Sequence, residues 1–151
     1  MYKRQCEDGQ DKEARWNMMM ASTEGAMAFS KGLGAVHSMS HALGANQELR
    51  LHHGTLNAVI LPSVLRFNQN HVENKYTRIA RAMGNKVTTD LANEIEKLNE
   101  KIGMPSSLSE MGVTEDMIPQ LVAHAATDPS NLTTPRLPSI EEWEKLFLEA
   151  M

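Results

Sequence analysis

The 151-residue chain holds a single cysteine, Cys6, so neither a disulfide framework nor a cysteine-based zinc site can be built from it. Aromatic residues make up only 5% of it, and alternating β-branched or aromatic runs are missing, so the β signal is nearly absent. It has no basic tract, and its net charge is −4 with histidine neutral. Nucleic acid and an anionic membrane surface are thereby excluded as the main partner. The apolar run Ala58–Val59–Ile60–Leu61 is far too short to span a bilayer. The start, basic and then acidic with no apolar stretch behind it, is not a signal peptide. These exclusions leave a soluble, cytoplasmic globular chain, long enough to bury a core without covalent staples.

Helical signals fill most of the length. Residues 11–30 are rich in Ala, Met, Glu and Lys, all good helix formers, and the Met18–Met19–Met20 run demands burial of at least one of the three. Residues 57–67 read as a mostly buried helix that Pro62 bends or starts. Residues 71–83 place Tyr76, Ile79, Ala80 and Met83 on one face. Leu91, Ile95, Leu98 and Ile102 recur at helical spacing before Gly103 and Pro105 stop the pattern. Thr114 is positioned to cap a helix carrying Met117, Leu121, Val122 and Ala125 inward. Ser139 and Glu142 form a capping box ahead of Trp143, Leu146, Phe147 and Ala150. Residues 128–138 contain three prolines and read as a surface loop. The expected architecture is all-α, with about six to eight helices.

Six histidines are present, four of them between positions 37 and 53. His37 and His41 are four apart, which on a helix sets both rings on one face. Both could address one ion, or one could bind while the other relays protons. The His52–His53–Gly54 triplet precedes the next helix, where a histidine can swing back to the same ion. Two or three imidazoles with no nearby cysteine or carboxylate resemble part of a catalytic site more than a closed structural one. His71 and His124 stand outside the cluster, and Cys6 has no basic partner that would activate it.

At this point the wording becomes specific. The stretch Gly32-Leu-Gly-Ala-Val-His37-Ser-Met-Ser-His41-Ala-Leu-Gly-Ala45 is followed by His53-Gly-Thr-Leu-Asn57-Ala-Val-Ile-Leu-Pro62 and Arg66-Phe-Asn68. This closely resembles the iron-containing alcohol dehydrogenase family. Lys75-Tyr76, Ala82-Met-Gly84, Ile102-Gly-Met-Pro105, Gly112-Val113, Asp128 and Pro135-Arg136 extend the likeness from about residue 8 to the end.

The resemblance implies an all-helical C-terminal domain of the dehydroquinate synthase-like fold. It implies a divalent metal, Fe²⁺ or alternatively Zn²⁺, held by one aspartate and three histidines, two of which fall on His37 and His53. The spacing from His41 to His53 is two residues longer than in many members, so His52 competes with His53 for that role; Gly54 favours His53. His41 falls on the family's non-ligand histidine beside the nicotinamide of NAD(P) and the substrate, where it takes part in proton relay. Ala42 stands where many members carry proline or glutamine.

The remaining two ligands, an Asp-x-x-x-His pair, occur nowhere in the chain, and no glycine-rich phosphate-binding loop is found. The resemblance therefore implies the C-terminal half of a two-domain enzyme acting on a small alcohol or carbonyl substrate. The partner that is missing is an N-terminal nucleotide-binding domain. Residues 1–5 do not resemble the family and are expected to be a non-native artefact, since residues 2–5 match what a common sequencing-adapter end would encode. Residues 6–151 then form the metal-binding domain, inactive when isolated.

Two other readings compete. One is a non-enzymatic helical interaction module that pairs through an apolar face, as in a homodimer. The other is a zinc-dependent relative such as glycerol dehydrogenase, although His37-Ser-Met-Ser-His41 and Asn57-Ala58 fit the iron-type branch better.

Overall fold

A computed structural model describes residues 2–72, 74–85 and 90–151. Among them lie eight α-helices and no strand, in line with the all-α expectation: α1 Tyr2–Glu7, α2 Lys12–Ala28, α3 Ala35–Gly44, α4 His53–Asn68, α5 Lys75–Ala82, α6 Leu91–Lys101, α7 Ile118–Thr127 and α8 Ile140–Ala150. None is long and apolar enough to cross a membrane.

Helices α3, α4, α7 and α8 pack on one another around Met39, Leu43, Leu56, Ile60, Leu108, Trp143 and Phe147, all fully buried. The capping box forms as the sequence predicts. Ser139 Oγ accepts the Glu142 N–H, and the Glu142 carboxylate accepts the Ser139 N–H, which fixes the entry of α8 and turns its apolar stripe inward. Gly103, at φ +74, closes α6 where the pattern breaks.

Helix α4 runs unbroken through Pro62 and begins at His53, so the proline neither starts it nor stops it. The reason lies on a neighbouring helix. Pro62 has no N–H to give the carbonyl of Ala58. The Asn99 side chain of α6 donates to that carbonyl instead, at 2.7 Å. The gap left by the proline thus becomes the tie between α4 and α6. Replacing Asn99 with alanine is expected to cost about 1–2 kcal/mol, because it strands an acceptor, and urea denaturation checks this.

The 71–83 stretch is helical only from Lys75, since Val72 and Asn74 leave helical geometry; Glu73 lies outside the described residues. Within α5, Ala80 is buried, and the Tyr76 hydroxyl donates to the Leu65 carbonyl at 3.1 Å. Burial pushes that phenol up to about 12. A 3₁₀ turn, Glu115–Met117, separates Thr114 from α7; Thr114 stands at the start of that turn, and its side chain makes no capping bond to it or to the helix.

Helix α2 departs furthest from expectation. Asp11 caps it by accepting the Ala14 N–H. Of its residues only Ala14 is buried. Met18 is half-buried, and Met19 and Met20 are exposed, so the expected methionine burial does not occur. The helix packs on α1 and the 3₁₀ turn Phe29–Lys31 rather than on the four-helix core. Trp16, Met27 and Phe29 are left exposed as well.

Residues 128–138 lie mostly at the surface, as expected, but part of the segment is ordered as a 3₁₀ turn. Asp128 caps a 3₁₀ segment, Pro129–Thr133, that crosses the entrance of α3 as a strap. The Ser130 carbonyl accepts the Gly34 N–H at 2.9 Å. Asn131 accepts from Ser38 Oγ at 2.6 Å and donates to the carbonyls of Ala125 and Ala126 at the end of α7. The strap therefore bolts α3 to α7. Beyond it, Arg136 lies 3.8 Å over the Phe67 ring and pairs with Glu142 at 2.7 Å, fastening the following turn to α4 and α8.

Candidate metal centre

Three histidine rings meet at the junction of α3 and α4. His37 and His41 stand one turn apart on α3, whose entry is shaped by Gly34 at φ +100. His53 is the first residue of α4. The ring centroids form a nearly equilateral triangle, 5.8 Å between His37 and His41, 5.3 Å between His37 and His53, and 5.6 Å between His41 and His53. His37 also meets Phe29 edge-on at 6.0 Å.

His52 is used differently. Its Nδ1 accepts the Thr55 N–H and so caps α4. That arrangement turns the His52 ring back over its own helix, while His53 enters the triangle. Gly54 follows because a Cβ there would press on the His52 ring, at 3.1 Å from Cε1.

The remaining hydrogen bonds orient the two rings. Ser40 Oγ donates to the His37 carbonyl at 3.2 Å and lies 3.4 Å from His53 Nδ1. With Ser40 donating to that carbonyl, the Nδ1–H form of His53, its lone pair at Nε2, is the tautomer that suits both this contact and the Asn57 amide nitrogen beside Nε2. The Nε2 atoms of His53 and His37 then converge on one point, the Asn57 amide nitrogen, at 3.1 and 3.5 Å. Asn57 sits one turn along α4, and its buried Oδ1 has no hydrogen-bond partner. Burial, and then the neighbouring histidines, lower the proton affinity of His37. Burial, followed by His41 and His52, does the same for His53. Both rings are thus biased to the neutral form that ligates metals.

His41 differs from the other two. Its Nδ1 lies 3.0 Å from Asp128 Oδ2. The Asp128 carboxyl is only 8% exposed. Burial alone would raise its pKa, but hydrogen bonds from Ser130 and the contact with His41 outweigh it and hold Asp128 below the usual carboxylate range.

The residues present suit a divalent ion in part. Two neutral imidazole lone pairs converge, which fits a borderline metal such as Fe²⁺ or Zn²⁺. Among the described residues, no three His, Cys, Asp or Glu side chains form a set able to hold an ion unaided. His71 and His124 are exposed, and Cys6 is exposed with a free thiol. Sequence reasoning singled out the three histidines but assigned nothing to Ser40, Asn57 or Asp128. Ser40, between the paired histidines, and Asn57, four residues past His53, carried a local spacing signal. Asp128, 87 positions from His41, carried none.

The model of the Fe-containing alcohol dehydrogenase family, C-terminal part, matches residues 1–151. The chain belongs to that family. It is 43% identical to 4-hydroxybutyrate dehydrogenase of Cupriavidus necator, over 98% of this chain and 41% of that protein. It is 36% identical to lactaldehyde reductase of Escherichia coli K12, over 91% of this chain and 38% of that one. The fold superposes on a solved structure of 1,3-propanediol oxidoreductase with a TM-score of 0.93 at 32% identity, covering 99% of this chain and 41% of the other. The chain thus spans about two-fifths of the length of these relatives and corresponds to the family's helical C-terminal domain.

Proposed function

We propose that the chain is the metal-binding half of a dehydrogenase that moves hydride between the carbinol carbon of a small alcohol and NAD(P). The observation that carries this reading is the convergence of His37 Nε2 and His53 Nε2 on a single point beside His41. His37 and His53 would supply two ligands to Fe²⁺, or alternatively Zn²⁺, with the other ligands and the dinucleotide site lying on a nucleotide-binding domain outside this chain. When bound, the ion supplies Lewis acidity toward the substrate oxygen. Ser40 keeps His53 in its ligating tautomer. His41, the ring held by a carboxylate instead of by Asn57, takes the substrate hydroxyl proton at Nε2 during oxidation and returns it during reduction. The named relatives act on 4-hydroxybutyrate, lactaldehyde and 1,3-propanediol, which favours a short alcohol or aldehyde bearing a second oxygen function. The exposed apolar side chains Trp16 and Met27 of α2 and Phe29 of the turn after it would be covered by the nucleotide-binding domain.

The test is a Co²⁺ titration of the 151-residue chain followed in the visible spectrum. Weak binding is expected, lost in both His37→Ala and His53→Ala and kept in His52→Ala. The chain alone should not oxidise 4-hydroxybutyrate with NAD(P), and should gain activity when joined to the nucleotide-binding half of a relative. Undiminished Co²⁺ binding in His37→Ala, or turnover by the isolated chain at enzyme-like rates, would overturn the reading.

A further inference from the structure

Among the described residues, His41 is the one of the three clustered rings that meets a carboxylate, and that carboxylate comes from 87 positions along the chain. Asp128 stands at the head of the strap Pro129–Thr133, and its two oxygens do two jobs. Oδ1 accepts the Ser130 N–H at 2.8 Å and so caps the strap, while Oδ2 faces His41 Nδ1 at 3.0 Å. The carboxyl is almost wholly covered, whereas the His41 side chain is 38% exposed; with Nδ1 against Asp128, Nε2 is the ring nitrogen left for another partner. An ionised carboxylate can only accept, so its partner atom must be the one carrying the proton.

The strap itself has little freedom. It is pinned to α3 through Gly34 and Ser38 and to the end of α7 through Asn131. The carboxylate is therefore fixed to the same helix that carries His41, at both ends of the contact.

We infer that Asp128 is a positioning residue for the proton-transfer step, holding His41 as the Nδ1–H tautomer so that Nε2 presents its lone pair to the substrate hydroxyl. The proton balance is simple. In alcohol oxidation the hydroxyl proton moves to His41 Nε2 and gives an imidazolium, which the facing Asp128 carboxylate stabilises without itself taking the proton. In reduction the same proton returns. The catalytic part of this inference rests on the proposed dehydrogenase reading, while the tautomer part does not.

The experiment uses the whole chain labelled with ¹⁵N-histidine, metal-free, with the ring nitrogens of His41 read by NMR above the pH at which histidine titrates. The native chain should show a protonated Nδ1 and a bare Nε2. Asp128→Asn keeps a residue able to cap the strap, yet its amide can donate to Nδ1, so the Nε2–H form should become the major tautomer. Asp128→Glu should restore the native tautomer in part, which a merely structural role would not do. In the protein joined to its nucleotide-binding half, Asp128→Asn should lower kcat by roughly 10- to 100-fold while metal content and Co²⁺ binding stay native. A native His41 already in the Nε2–H form, or an unchanged tautomer in a folded Asp128→Asn chain, overturns the inference whatever the activity. A tautomer switch with native kcat leaves Asp128 setting the proton but refutes its place in the reaction. Should the assembled protein oxidise no alcohol while the switch is seen, the dehydrogenase reading fails and the positioning of His41 by Asp128 stands.

Discussion

Replacing Gly32 with alanine is expected to destabilise the chain by about 2–6 kcal/mol and to disorganise the histidine cluster with it. Two physical effects combine. Gly32 has φ +94 and ψ 173, a backbone region that side chains with a Cβ hardly enter, at a cost of about 1–3 kcal/mol. In addition, a Cβ there would overlap the side chain of Thr133 on the strap. Thr133 is β-branched and its hydroxyl bonds the Ser130 carbonyl, so it cannot simply rotate clear. Forcing a methyl into such a contact costs about another 1–3 kcal/mol and pushes the strap away from α3. Every bond that the strap makes to α3 is then at risk, including that from Asp128 to His41. Thermal unfolding should show a fall in Tm of roughly 5–20 °C. Adding Thr133→Gly to Gly32→Ala should recover the overlap part and leave the backbone part. If Gly32→Ala unfolds at the native temperature, the strap is not seated where the structure places it.

The second large effect concerns the metal. On the proposed function, and with the chain joined to the nucleotide-binding half of a relative, the double change His37→Ala with His53→Ala should remove bound metal and reduce alcohol oxidation by about 10³-fold or more. The Lewis-acid contribution of a metal ion is several kcal/mol, and each 1.36 kcal/mol is tenfold in rate. Neither ring is fully buried and neither belongs to the core cluster, so the fold should survive within about 1 kcal/mol. Metal content by elemental analysis and turnover with a saturating alcohol are the two readouts. His41→Ala offers the contrast, with metal retained and turnover lost. A double variant that keeps its metal would show that His37 and His53 are not the ligands, whatever its rate.

Much of this was legible in the residues. The capping box at Ser139 and Glu142, the stop at Gly103 and the stripe Trp143, Leu146, Phe147 and Ala150 are local patterns governed by hydrogen bonding within one or two turns, and they appear in the structure as the chain is written. The pairing of His37 with His41 is likewise a property of helical spacing. Where the reading slipped, the deciding contact was distant. Pro62 reads as the bend or the start of its helix; α4 starts at His53 instead, and Asn99, 41 residues from Ala58, takes up the carbonyl the proline leaves behind. At least one of Met18, Met19 and Met20 should be buried by the rule of apolar surface, yet among the described residues α2 packs chiefly on α1 and the Phe29–Lys31 turn.

The histidine cluster divides in the same way. Sequence alone determined that His37 and His41 stand together, because residues four apart on a helix share a face whatever surrounds them; it left His52 and His53 as competitors for the third place. Only the tertiary structure decided what each ring does there. His52 was drawn off to cap α4, His53 was turned by Ser40 toward His37, and His41 was given a carboxylate from 87 residues away. Spacing sets direction along one helix, but a proton's place on an imidazole depends on whatever meets its other nitrogen. That partner is chosen by how separate segments pack.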